Sequence, residues 1–422
     1  MKEFDMIVIG SGAALIVMES ALNHGLSCAL VENSKFGGTC LTKGCIPSKV
    51  LTYPADVIME MRHAKKIGLD IELKSIDWEA ISAEVWKSIN KSEKLESNLD
   101  KIENLTVYKG TGEFTGNKTM RVLLADGSYS EPFTGKKIII GAGARTHIPP
   151  IEGLEQAGFI TSETFFGEKY PSKPYKSLTI IGGGSVGTEF AHIFCAYGSK
   201  VTVVDFSPRL VSKEEPEISA QLKTQFEHSG IDVLTGYKAV SVTKNEQGKT
   251  VLLQNLETGE EVSVTSEEVL ISSGVKSNAD ILKVELSGVE TDEHGWIKTD
   301  EYLQTSAEDI WALGDINGKF QLRHKANYEA EILVRNLNGH SKTKVKADYS
   351  RVPWAIYTHP QIARVGMTQE QAEEKGHRLL VGKKHFSSVA KGRAMGYSRG
   401  SFDDGFVKLI ADEDKKILGV HI

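Results

Sequence analysis

Cys40 and Cys45, in the stretch FGGTCLTKGCIPSKVL from Phe36 to Leu51, stand five positions apart and are two of the chain's four cysteines. A pair at this spacing could hold a metal, staple the chain or carry electrons. Structural zinc usually takes cysteines two to four residues apart plus a second ligand pair. The other cysteines, Cys28 and Cys195, are scattered and sit in apolar surroundings where buried, inert thiols are common. A disulfide needs Cα atoms within about 7 Å, whereas five residues of regular helix rise about 7.5 Å. The helix must therefore be irregular here. Gly37 and Gly38 precede the pair, Gly44 lies inside it, and Pro47 cannot donate back to Lys43. A bond across so short a loop adds little stability and is easily reduced. Lys43 and Lys49, with a helix N-terminus, would favour the thiolate. The residues argue for redox chemistry and for no metal.

The elements that must position this pair repeat along the chain. DMIVIGSGAAL…HGLSCALVEN (Asp5 to Asn33) and SLTIIGGGSVG…YGSKVTVVDF (Ser177 to Phe206) each read as strand, glycine turn, helix, strand and a terminal acid. Glu32 and Asp205 follow Gly10 and Gly182 by roughly 20 positions, the spacing between a dinucleotide-binding turn and a ribose-binding acid. Gly10 and Gly12, or Gly182 and Gly184, would let the backbone approach a pyrophosphate at the helix N-terminus. The third glycine, Gly187 in the second copy, is Leu15 in the first. Its bulk is expected to push helix and strand apart.

Between the copies lie charged helical segments (Tyr53 to Glu103), then β-rich sequence and a strand at KKIIIGAGAR. THIPPIEG reads as a crossover, and EVLISSGVKSN and DIWALGDING as further strands. From about Val352 strand and helix signals alternate, and the chain stops at Ile422 straight after ILGVHI, so the last domain is expected to be incomplete. With 422 residues, 50 Lys and Arg against 56 acids and a net charge of −6, several domains are expected and nucleic-acid binding is not. No apolar run approaches the roughly 20 residues that span a bilayer, and no signal peptide opens the chain, which makes a cytoplasmic, non-membrane protein the expectation.

GGTCLTKGCIPSK, with GAGARTHIPPIEG, GGGSVGTEFA, TSAEDIWALGD, HKANYEAE and YTHPQIARVGMT in this order, resembles the class I pyridine nucleotide–disulfide oxidoreductases, most closely the members that oxidise dihydrolipoamide. The resemblance implies an α/β chain of two Rossmann-like dinucleotide-binding domains, for FAD and NAD, followed by an α+β dimerisation domain. The expected boundaries are 1–149 (FAD and redox disulfide), 150–275 (NAD), 276–348 (completing the FAD site) and 349–422 (dimerisation, incomplete). Cys45 would be the flavin-proximal thiol, Cys40 the interchange thiol, and Lys49 and Glu189 an ion pair beside the flavin and nicotinamide. FAD would lie against Gly10, Gly12, Glu32, Gly38, Thr39, Gly112, Gly143 and Asp315, and the nicotinamide cofactor against Gly182, Gly184, Gly187, Asp205 and Gly274. An acid at Asp205 favours NAD over NADP.

The implied partners are a small dithiol or disulfide, lipoamide on a carrier protein, and a second copy of the chain. A related disulfide or mercuric ion reductase, and an impaired flavoprotein that acts as a binding component, are the competing expectations. The family has Arg and Pro where this chain has Val275 and Ser277, and its His–Pro acid/base segment would lie beyond Ile422. Neither His324 nor the His359–Pro360 motif corresponds to that base.

Overall fold

The computed structural model describes residues 1–337 and 343–422. The chain divides into two compact units, each assembled from three stretches: 1–47, 86–145 and 275–349 in the first, 48–85, 146–274 and 350–422 in the second.

In the first unit, the apolar run ending in MIVI makes Lys2–Ile9 a strand whose last four residues are buried. Parallel strands covered on both faces require such continuous runs. This strand pairs in parallel with Cys28–Glu32 on one side and Phe133–Ile140 on the other. Leu105–Gly116 extends the sheet in parallel beyond Cys28–Glu32, Thr119–Leu124 returns antiparallel to it, and Ile310–Ala312 lies parallel to Phe133–Ile140. One face is sealed by Phe4, Phe114 and Phe133 with Leu282 and Val284, the other by Ala14, Val17 and Met18 of helix Ala14–Asn23 with Ala330 and Leu333 of helix Arg323–Leu337.

The second unit holds the second copy. Its four parallel strands run Glu268–Ile271, Ser177–Ile181, Lys200–Asp205, Asp232–Thr235, with helix Ser185–Ala196 buried along most of its length. Tyr237–Asn245, Gly248–Asn255 and Glu261–Ser266 form an antiparallel meander. The alternation seen after Val352 becomes an antiparallel sheet ordered Pro353–Ile356, Ile362–Gly366, Ile417–His421, Phe406–Asp412, Leu379–His385, with short helices between strands. That is the expected α+β arrangement. Among the described residues no helix is long and apolar enough to cross a membrane.

Candidate active site

Cys40 lies in a short helix, Gly38–Thr42, and Cys45 opens a second, Cys45–His63. The break demanded by the five-residue spacing falls between them. Lys43 leaves the first helix at φ −140°, its N–H closing on Thr39 O at 2.9 Å. Gly44 follows, where a Cβ would crowd Thr39 O at 3.1 Å. Pro47 does not make the break, contrary to expectation. It sits in the first turn of the second helix, where no intrahelical donor is required of it. Cys40 is half-buried and Cys45 exposed, whereas Cys28 and Cys195 are buried. Burial pushes the Cys28 thiol up to about 12 and raises that of Cys195, so both are inert at neutral pH.

The cysteine segment is tied directly to the glycine turn. Gly37 and Gly38 take positive φ, and a Cβ on Gly38 would lie 2.8 Å from Gly12 Cα. Ser11, buried in the turn, accepts from Gly37 N at 2.9 Å and donates through Oγ to Glu32 Oε2 at 2.7 Å. Sequence reasoning missed Ser11, because nothing in the glycine pattern marks the residue between the first two glycines.

The two acids behave alike. Glu32 accepts from Ser11 N and Ser34 N, both at 2.8 Å, and Asp205 from Gly183 N and from Ser207 N at 2.6 Å. Each therefore locks its own turn. A carboxylate offers about four lone-pair sites, so Glu32 keeps one unused and Asp205 two.

Leu15 does not push helix and strand apart. The acid-to-turn separation is 21 residues in the first copy and 22 in the second, and the missing residue shifts the helix by one place. Ala14, fully buried, then stands where Gly187 stands in the second copy, and Leu15 turns aside, half-buried. The neighbouring strand end compensates: a Cβ on Gly141 would lie 2.7 Å from Ala14 Cβ, whereas the second copy has Gly187 against Ser272, whose Oγ donates to Gly182 O at 2.8 Å.

The glycines now separate by cause. Gly10 and Gly182 take positive φ and a Cβ on either would overlap the next strand's backbone; Gly187 is excluded from bearing one by Gly182 O. Gly112 is required by packing against Val31 and Met120. At Gly184 no atom lies within 4 Å of a Cβ position, and at Gly12 only Arg323 Nη1, at 3.9 Å. Neither has positive φ. Packing leaves these two without a reason to be glycine, and close approach of a ligand supplies one. Arg323, half-buried, has no hydrogen-bond or ion-pair partner among the described residues; the sequence reading passed it over. Gly143 and Gly274 both take positive φ with open space beside them.

In the second unit Lys49 Nζ meets Glu189 Oε2 at 2.8 Å. Tyr357, which sequence reasoning also missed, donates its backbone N–H to Glu189 Oε1 at 3.0 Å and places its ring 3.9 Å from Lys49 Nζ. In the first unit Asp315 lies in the 3₁₀ turn Gly314–Asn317, and burial raises its carboxyl to about 6.

A family model described as pyridine nucleotide-disulphide oxidoreductase matches residues 4–330, and its dimerisation-domain counterpart matches 352–422. The chain belongs to the pyridine nucleotide-disulphide oxidoreductases. A dihydrolipoyl dehydrogenase of Bacillus subtilis is 33% identical, with 100% of this chain aligned to 88% of that protein. A mercuric reductase of Lysinibacillus sphaericus is 31% identical over 99% of this chain and 74% of its own length. Among solved structures, a Cu(II) complex of the HOCl-induced flavoprotein disulfide reductase RclA from Escherichia coli superposes with TM-score 0.85 at 28% identity, covering 100% of this chain and 89% of that one.

As a member of this oxidoreductase family the chain is an NAD-dependent flavoprotein disulfide oxidoreductase and uses FAD and NAD(H). Its own residues fit both cofactors. The first turn leaves Gly12 open beside an unpaired guanidinium, and the second leaves Gly184 open beside an acid with unused lone pairs.

Proposed function

We propose that this oxidoreductase oxidises dihydrolipoamide, carried on a lipoyl-bearing protein, and that Cys40 and Cys45 are its redox pair. The carrying observation is the helix break at Lys43–Gly44, which sets the two cysteines on separate helices, the first of them packed through Gly38 against the glycine turn fitted for FAD. One substrate thiolate attacks Cys40 Sγ, the Cys40–Cys45 bond breaks, and Cys45 leaves as thiolate. The second substrate thiolate then displaces Cys40 from the mixed disulfide, closing the substrate disulfide. The dithiol thereby loses two electrons and two protons and the cysteine pair gains the electrons. FAD, held by the first turn, would supply the two-electron chemistry that links the cysteine pair to NAD+.

Gly10, Gly12, Glu32, Gly38, Thr39, Gly112, Gly143 and Asp315 are proposed for FAD, with Arg323 added as a charge partner of its pyrophosphate. Gly182, Gly184, Gly187, Asp205 and Gly274 are proposed for NAD. Lys49 and Glu189 are proposed as the ion pair that orders the reacting face, steadied by Tyr357. Asp205 would bond a 2′-hydroxyl and repel a 2′-phosphate. A homodimer in the cytoplasm belongs to the same proposal, supported by the matched dimerisation domain.

An anaerobic titration with dihydrolipoamide tests this reading. Stoichiometric reduction with a long-wavelength thiolate–flavin band, lost in Cys45→Ser, is expected. Holoenzyme that resists dihydrolipoamide but turns over mercuric ion or another disulfide with NADH would move the assignment to the mercuric reductase or RclA side of the family.

A further inference from the structure

The turn that carries Asp315 is gripped by a fully buried polar cluster that none of the motifs explains. Lys325 and Glu329, four residues apart on helix Arg323–Leu337, both have 0% side-chain exposure. Lys325 Nζ donates to Gly314 O at 2.9 Å, Asn317 Oδ1 at 2.8 Å and Glu329 Oε2 at 3.1 Å. Glu329 accepts from Gly314 N at 2.7 Å, Asn317 Nδ2 at 2.8 Å, the Tyr349 hydroxyl at 2.5 Å and Lys325. An ammonium has three donors and a carboxylate about four acceptor sites, so both groups are saturated as ions. A proton on Glu329 would have no lone pair left to occupy.

Both polar atoms of the Gly314 peptide are therefore held, one by each member of the pair, and Gly314 takes the positive φ of 79° that this requires. Asp315 comes next. Its side chain is half-buried and has no hydrogen-bond partner among the described residues. A buried ion pair is costly compared with an apolar pair of the same volume and is weak as a stabiliser. Here it spends its bonds on main-chain atoms flanking the one acid in the turn that is left unpartnered.

We propose that Lys325 and Glu329 are positioning residues for FAD: they clamp the Gly314 peptide so that the Asp315 carboxylate stands ready to accept from a hydroxyl of the flavin's ribityl chain. This rests on the assignment of Asp315 to the FAD site. It also gives the pair a second effect. The charged groups that reach Asp315 are these two, Lys325 favouring its ionised form and Glu329 opposing it, while Lys319 and Tyr349 face Glu329. The ionised carboxylate is the stronger acceptor, so FAD affinity is highest above a midpoint near the Asp315 value and falls as pH drops through it. Removing Glu329's charge lowers that midpoint, and removing Lys325's raises it.

The test measures FAD dissociation from the holoenzyme, by fluorescence of released flavin, between pH 5 and 8. Asp315→Asn first decides the underlying assignment: loss of both roughly tenfold in affinity at pH 8 and the acid limb is expected, and unchanged affinity would remove Asp315 from the site. Glu329→Gln should then move the midpoint down, and Lys325→Gln up, each by roughly half a pH unit or more. A purely structural role predicts weaker binding at every pH with an unmoved midpoint, and that outcome, or shifts of the same sign, overturns the proposal. If a single variant does not fold, Glu329→Gln/Lys325→Met, which leaves no buried charge, replaces it: weakened FAD binding with a midpoint set by Asp315 alone is expected, and wild-type affinity and midpoint would refute the clamp.

Discussion

Single residues in the two turns answer to different masters, and their substitution should show it. Gly187 has no room for a methyl, because Gly182 O occupies the place and Ser272 Oγ lies 2.6 Å from it. Gly184 has open space on that side. Gly187→Ala should therefore destabilise the fold by about 3 kcal/mol, at the upper end of overpacking costs. Gly184→Ala should change stability by under about 1 kcal/mol and raise KM for NAD+ instead. Urea unfolding and steady-state kinetics on both variants check this, and equal stability losses would refute it. The glycine pattern and the acids could be read from spacing, because turn and strand geometry impose it. That Ala14 rather than Leu15 fills the third glycine's place could not, since it depends on a one-residue shortening whose effect appears only against Gly141.

At the scale of elements, helix Cys45–His63 is locked along its later turns to helix Ser185–Ala196. Asp56 Oδ1 pairs with His192 Nε2 at 2.8 Å, the Tyr197 hydroxyl donates to Leu51 O at 2.7 Å, and Arg62 Nη2 donates to Ala196 O at 3.2 Å. These bonds hold the segment bearing Lys49 near Glu189. His359 closes the stack, its ring centroid 5.9 Å from that of His192 and 5.4 Å from that of His63. Burial first, then the two neighbouring imidazoles, lower His359 to about 4 from an ordinary 6.5. A depressed histidine costs the folded state nothing above pH 6.5, and stability is lost as pH falls from there towards 4. At pH 5 the loss is about 2 kcal/mol by linkage. His359→Asn should remove most of that acid sensitivity, so that denaturant midpoints at pH 7 and pH 5 draw together. An unchanged gap between them would place the acid lability in other groups. The first helix was legible from Tyr53 on as charged helical sequence and the second from the strand–turn–helix pattern, but their mutual lock was not, because its partners lie more than a hundred residues apart in the chain.

For the whole molecule, the doubled strand–turn–helix pattern and the late alternation of strands and helices were enough to foresee two dinucleotide folds and a final α+β domain. The resemblance implies that 276–348 returns to the FAD unit, whereas the gathering of 48–85 and 350–422 with 146–274 was beyond reach, since local patterns carry no information about which distant segments share a core. The second unit leaves apolar surface uncovered. Leu379–His385 lies at the edge of its sheet with Leu380 and Val381 uncovered, and on helix Cys45–His63 Tyr53 is 73% exposed with Val57 also uncovered. Uncovered strand edges and neighbouring large apolar side chains are tolerated in solution when another chain covers them. The matched dimerisation domain makes a second copy the natural cover. Sedimentation velocity on the holoenzyme at micromolar concentration should then give a dimer. A glutamate at the Tyr53 position, Tyr53→Glu, would bury a charge at a two-fold contact and shift the boundary towards monomer, with the flavin spectrum unchanged. A wild-type chain that sediments as monomer, or a Tyr53→Glu variant that dimerises as tightly as wild type, would take this helix face out of the interface.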